Sequence, residues 1–121
     1  QGCPTGEAKI SPGFNLPAKY VIHTVGPVWH GGDRGEAELL ANCYYNCIAL
    51  AQQHNVTSIA FPAISTGVYG YPINDATDIA IDSVLQSLTK AAQTGNVIEE
   101  VIFCCFSASD AAIYQQKLKA V

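Results

Sequence analysis

The sequence predicts a three-layer α/β domain, and three observations carry that reading. The second half alternates helix, strand, helix, strand, helix, the order that builds a sheet with helices on its faces. The strand candidate at 97–106 is dense in Val, Ile, Phe and Cys, as in strands covered on both faces. Between the 56–64 strand and the next helix lies Ser65-Thr66-Gly67-Val68-Tyr69-Gly70, a small-residue loop at a strand's carboxyl end, where such folds bind ligands.

Residues 6–10 form a short strand candidate, and Ser11-Pro12-Gly13 reads as a turn. Pro17 precedes the strand run Tyr20-Val21-Ile22-His23-Thr24-Val25, which stops at Gly26-Pro27. Gly31-Gly32-Asp33-Arg34-Gly35 reads as an exposed loop. From 36 to 54 the pattern is helical, with Leu40, Cys43, Cys47, Leu50 and Ala51 on one face. A second helix spans 74–94, with Asn74 as its cap, Asp75 at its positive end and Gly95 at its close. Ala76, Ile79, Ala80, Val84, Leu88 and Ala91 make its buried stripe. Ser107-x-x-Asp110 reads as a capping box for a last helix ending near Lys119.

Composition excludes several function classes. At 121 residues the chain is one domain or part of one, and 49% hydrophobic against 13% charged residues favours a packed core over disorder. No apolar run approaches the roughly 20 residues of a membrane span. A net charge of −4 without a Lys/Arg cluster argues against nucleic-acid backbone binding, while a small anion held by backbone amides remains compatible. The five cysteines form no Cys-x-x-Cys motif, which points to reduced, mostly buried thiols and a cytoplasmic protein. Cys43 and Cys47, one helical turn apart, read as small apolar residues of a buried face rather than as metal ligands with His54. Gln1 is not an initiator Met, so the true start is expected to be absent or removed.

The 65–70 loop carries the chemistry. Gly67 and Gly70 permit positive φ and close backbone approach, Ser65 and Thr66 add hydroxyl donors, and Tyr69 suits a sugar face. Strand, Gly-rich loop and helix is a layout that cradles phosphate oxygens. Pattern alone leaves this beside the plain reading of a strand-to-helix turn that needs glycine. Phe106 ends the last strand candidate, where it either stacks on a planar base or sits in the core. His23 reads as a core histidine, Trp29 as a loop anchor, and Asp75, Asp78 and Asp82 as a solvated face. No Ser-His-Asp arrangement, HExxH or P-loop lysine motif is present.

Three segments stand out together: Cys3-Pro4-Thr5-Gly6-Glu7-Ala8, the run from Leu16-Pro17-Ala18-Lys19-Tyr20 to Gly26-Pro27, and Phe61-Pro62-Ala63-Ile64 continuing to Tyr71-Pro72. Taken together they closely resemble a macrodomain of the MacroD-type branch, which includes bacterial O-acetyl-ADP-ribose deacetylases. The resemblance implies an α/β/α sandwich on a mixed sheet. It also implies an ADP-ribose or O-acetyl-ADP-ribose ligand, with ADP-ribosylated protein as a further partner. By resemblance, Ser65, Thr66, Gly67, Val68, Tyr69 and Gly70 hold the diphosphate and cover the distal ribose, and Phe106 matches the aromatic position near adenosine. No metal and no cofactor are implied.

The family's first two strands, its Asn-Ala-Ala-Asn stretch and the Gly-rich segment with the catalytic Asp have no counterpart here. Residues 1–121 therefore resemble a partial macrodomain, its C-terminal two thirds, with no catalytic residue of its own. In the family's sheet order, 1-6-5-2-4-3, the missing second strand would lie between 56–64 and 20–25. Two sheet fragments with unpaired edges are the expected result, needing the missing half, an exchanged dimer or a rearranged sheet. Three functions follow as alternatives: a parent hydrolase of O-acetyl-ADP-ribose or ADP-ribosylated carboxylates, a non-catalytic ADP-ribose reader, or a swapped fragment without a ligand.

Overall fold

Periodicity places the helices where the structure has them. The computed structural model describes residues 3–13 and 18–120. In chain order these form β1 (Ala8–Pro12), β2 (Tyr20–Thr24), α1 (Glu36–Gln53), β3 (Ser58–Phe61), a 3-10 turn (Gly67–Tyr69), α2 (Ile73–Ala92), β4 (Glu100–Phe103) and α3 (Ala108–Lys119). Pro17, Leu16 and Gln1, used in the sequence reading, lie outside the described residues.

α1 buries Leu40, Cys43, Tyr44, Cys47, Ile48 and Ala51, the 3- and 4-residue spacing of one helix face. Full burial of a Leu40 or an Ile48 stabilises by about 1.5–3 kcal/mol. The helix ends at His54, and Asn55 turns the chain at φ 55°, a left-handed conformation Asn tolerates. α2 lies against α1 and buries Ala76, Thr77, Ala80, Ile81, Ser83 and Val84. α3 packs on α2 and places Tyr114 on Phe103, with ring centres 5.1 Å apart. Ser107 caps α3 by accepting the Asp110 N–H at 3.2 Å, as the capping box predicts.

The second helix starts one residue earlier than expected, and Asn74 does not cap it. Pro72 occupies that place at φ −59°, and its carbonyl accepts the Ala76 N–H at 2.9 Å. Both long strand candidates shrink to four residues. The segment before β4 is held by side chains: Asn96 Oδ1 accepts the Ile98 N–H at 3.0 Å and Gln52 Oε1 accepts the Val97 N–H at 3.3 Å. β4 is not covered on both faces either, since Ile102 is 46% exposed while Phe103 faces α3. Ser11 and Pro12 belong to β1 rather than to a turn.

The strands form two separate pairs. β1 and β2 are antiparallel, from Ala8 opposite Thr24 to Pro12 opposite Tyr20. β3 and β4 are parallel, from Ser58 beside Glu100 to Phe61 beside Phe103. Between β2 and β3 runs a cleft of about 1100 Å³, lined by residues 18–26 on one side and 54–62 on the other. Bonds from Gly13 N–H to Lys19 O and from Gly6 N–H to Val25 O turn the backbone groups of alternate residues Val21 and His23 toward β1. Tyr20, Ile22 and Thr24 therefore point theirs into the cleft. Thr57 O and Phe61 O accept from β4, so Ser58 and Ala60 face the cleft from the other side. The separation expected between these two strands is what the fold shows.

Amide exchange followed by NMR should split each strand by parity. The N–H groups of Tyr20, Ile22, Thr24, Ser58 and Ala60 should exchange far faster than those of Val21, His23, Ile59 and Phe61. Equal protection of both sets would mean that the cleft edges are paired in solution.

Candidate functional site

The parallel register brings two loops to one edge. Phe61 and Phe103 are paired neighbours, so the chain leaves β3 and β4 side by side at their carboxyl ends. After β3, Ala63, Ile64 and Ser65 turn inward and are buried, whereas Gly67, Val68, Tyr69 and Gly70 turn outward. Val68 is fully exposed, Tyr69 is 40% exposed, and Thr66 is half-buried. After β4, Phe106 sits in the loop before α3 and is 71% exposed, which removes the core reading of that residue.

Ser65 fixes the shape of the first loop. It adopts φ 68°, a left-handed conformation that is uncommon for a non-glycine residue. Its hydroxyl donates to Pro27 O at 2.7 Å, and its carbonyl accepts the Tyr71 N–H at 3.0 Å. Gly26 lies so close to the Ser65 hydroxyl and the Ile64 side chain that a Cβ there would collide with both. Thr66 donates its hydroxyl to Ala63 O at 3.0 Å. Both hydroxyl protons are thus committed within the protein, contrary to the expectation that they serve as ligand donors. What the loop exposes is the turn from Gly67 at φ 75° to Gly70 at φ 78°, in which the Gly70 N–H donates to Gly67 O, together with Val68 and part of Tyr69.

A second segment braces this loop. The Trp29 N–H donates to Tyr69 O at 2.9 Å, and the indole rests on the buried Tyr71 with ring centres 4.6 Å apart. Trp29 is therefore the loop anchor that the sequence suggests. Behind it stands Glu36, which sequence reasoning missed. Glu36 is 1% exposed at the start of α1. Its Oε2 accepts the N–H groups of His30 and Gly32 at 2.8 and 3.1 Å, and Oε1 accepts that of Arg34 at 2.7 Å. Burial works to raise its pKa, but these backbone donors outweigh burial and hold it down at about 2. The available signal was a Gly-rich loop, whose amides need an acceptor, running into a helix that opens with a carboxylate.

The remaining candidates separate. His23 is exposed, with Nε2 3.3 Å from Ser11 Oγ, so it is not a core histidine; strand alternation sends its side chain outward. Cys43 and Cys47 are buried, and desolvation pushes both thiols up, Cys47 to about 12, which leaves them unreactive. Cys104 is exposed and Cys105 half-buried, so the cysteines are free but not uniformly buried. Among the described residues no three His, Cys, Asp or Glu side chains gather to hold a metal ion. Asp75, Asp78 and Asp82 form an exposed face, where Asp78 pairs with Lys117 at 2.8 Å.

The Macro domain family model matches residues 1–80. A macro domain-containing protein of Chlorobaculum tepidum is 60% identical over 119 residues, covering 98% of this chain and 67% of that protein. An O-acetyl-ADP-ribose deacetylase of Klebsiella pneumoniae is 54% identical over 116 residues, covering 96% of this chain and 64% of its own length. The Oceanobacillus iheyensis macrodomain solved with ADP superimposes with a TM-score of 0.87 at 47% identity, covering 97% of this chain and 59% of that one. The chain belongs to the macro domain family and has its α/β fold. It spans about two thirds of the length of these relatives.

The site yields two stability predictions. Glu36 has a folded pKa of about 2 against the usual 4.5, so its contribution is complete above 4.5 and is lost as pH falls toward 2. Urea midpoints of the protein and its Glu36→Gln variant should differ most at pH 7 and converge between pH 4.5 and 2. A gap that persists at the acid end would show that the charge is not what Glu36 supplies. At Gly67 a Cβ would meet nothing within 4 Å. Gly67→Ala should then cost only the left-handed backbone penalty, about 1–2 kcal/mol, while Val68→Ala should stay within about 0.5 kcal/mol.

Proposed function

We propose that this chain binds ADP-ribose, or its O-acetyl ester, at the edge where the β3 and β4 loops meet. The observation that carries the reading is the 65–70 loop itself. A non-glycine residue held left-handed between a strand and a helix is costly, roughly 1–3 kcal/mol, and such residues cluster at ligand sites. Here that conformation turns the following backbone outward beside the N-terminus of α2, whose dipole favours an anion. In this reading the amides of the loop meet the diphosphate, Tyr69 covers the distal ribose, and Phe106 stacks on the adenine. Ser65 shapes the loop from beneath. The reading is supported by the Klebsiella relative's name and by the ADP in the Oceanobacillus structure.

We further propose that the protein bearing this chain hydrolyses the ester, or ADP-ribose linked to a protein carboxylate. Water adds to the acyl carbon and the bond to the ribose oxygen breaks, giving acetate and ADP-ribose. Within these residues we assign no acid or base to that step. Glu36, the buried carboxylate behind the site, already spends both oxygens on three backbone donors. By the macrodomain resemblance, we assign the catalytic carboxylate to the part of these relatives' length that the chain does not span. We place a strand from that same part in the cleft between β2 and β3, where backbone groups from both sides await partners.

Titration calorimetry with ADP-ribose tests the binding reading. Saturable one-to-one binding is the expected result, weakened about tenfold by Tyr69→Ala, the roughly 1.4 kcal/mol scale of one well-placed aromatic face. Unchanged affinity in that variant would displace the ribose from Tyr69. Acetate release from O-acetyl-ADP-ribose then separates hydrolase from reader: binding by the intact protein without release would leave the reader.

A further inference from the structure

We propose that Glu36 is a positioning residue for the 65–70 loop, acting through Trp29. No ligand contact is assigned to Glu36, and its carboxylate lies behind the site rather than in it. Its two oxygens gather three backbone N–H groups from residues 30, 32 and 34, so the segment immediately after Trp29 is tied to the first turn of α1. Gly32, at φ 94°, brings that segment against the indole: a Cβ there would lie 3.0 Å from the far edge of the Trp29 ring. The indole is thus close to both Gly32 and Tyr71.

From Trp29 the connection is direct. Its N–H holds Tyr69 O, and its Cβ lies 4.0 Å from the position a Cβ would take on Gly70. Tyr71, beneath the ring, donates its N–H to Ser65 O. Both ends of the outward turn, Ser65 and Tyr69–Gly70, are therefore fixed by residues that Trp29 touches. Within the turn the Gly70 N–H donates to Gly67 O and the Thr66 hydroxyl to Ala63 O, while Val68 is fully exposed and Gly67 has open space around it. A carboxylate that sets the 30–34 loop consequently sets where the Trp29 N–H holds the Tyr69 end of the turn. Burial of the charge is tolerable because three amides compensate it.

The test is a ¹H–¹⁵N spectrum of Glu36→Gln beside a ligand titration, with Ile48→Val as a control. Ile48 is buried on α1 but belongs to the core rather than to the 30–34 loop. In Glu36→Gln the amide signals of Tyr69, Gly70 and Gly67 should move without ligand, although the carboxylate's hydrogen bonds go to residues 30, 32 and 34. ADP-ribose affinity should fall roughly tenfold, as expected for a site displaced by a fraction of an ångström. Ile48→Val should lower stability and leave both readouts in place. Should Glu36→Gln fail to fold, Trp29→Phe, which keeps the N–H to Tyr69 O but withdraws the ring edge from Gly32, should move the same three signals. Unmoved signals in the folded variant would overturn the proposal, as would moved signals with wild-type affinity. The affinity arm rests on the ADP-ribose reading; moved signals in a protein that binds no ADP-ribose would sustain the positioning role and defeat only that reading.

Discussion

The molecule depends on the crossing of two segments, Gly26-Pro27 and Ile64-Ser65. Among the described residues four strands form two pairs with no ladder between them, and this crossing joins the exit of one pair to the exit of the other. It tolerates no Cβ at residue 26. It is closed by the Ser65 hydroxyl on Pro27 O and repeated two residues further on by the Trp29 N–H on Tyr69 O. Residues 26–29 thereby run as a brace along 64–70. The left-handed Ser65 is stable in that setting because its side chain and carbonyl both have partners.

α1 serves both halves of this arrangement. Its middle lies under β2, where Cys43 donates its thiol hydrogen to Val25 O at 3.4 Å and Cys47 fills the adjacent turn. Its first residue, Glu36, holds the loop that carries Trp29. One rigid helix therefore fixes the strand before the crossing and the brace after it. That economy explains the small residues along its face: Cys43, Cys47 and Ala51 let the backbone of α1 approach its neighbours, while Leu40, Tyr44 and Ile48 fill the core.

Helices were legible in the sequence and strand ends were not, for a physical reason. A 3.6-residue stripe such as Leu40, Cys43, Cys47 and Ala51 has few alternative explanations. A short apolar run does not distinguish a paired strand from a segment buried under a loop. Ala63 and Ile64 are buried yet unpaired, and Ile98 is buried before β4 begins. The 65–70 loop was visible through its glycines, and Phe106 through its place before a capping serine. Glu36 was missed because its partners are backbone amides, so its signal lay in the Gly-rich loop before it rather than in any side-chain pattern. The internal bonds of the Ser65 and Thr66 hydroxyls were invisible for the complementary reason: their acceptors are carbonyls brought near by the fold.

This distribution of polar groups bears on how an acidic chain would accept a doubly charged ligand. The protein carries a net charge of −4 and keeps an ionised Glu36 behind the site. A site built from Lys or Arg would offset that charge, but no Lys or Arg occurs between Arg34 and Lys90. In the proposed site the offset would come from dipoles instead. Three amides face Glu36 and confine its field, and the outward turn presents further amides at the head of α2. Fixed dipoles attract an anion only while their orientation is held, because a mobile loop would average it away. In the proposed site, rigidity of the brace is then a condition for binding, and the buried charge of Glu36 supplies it without a ligand contact of its own.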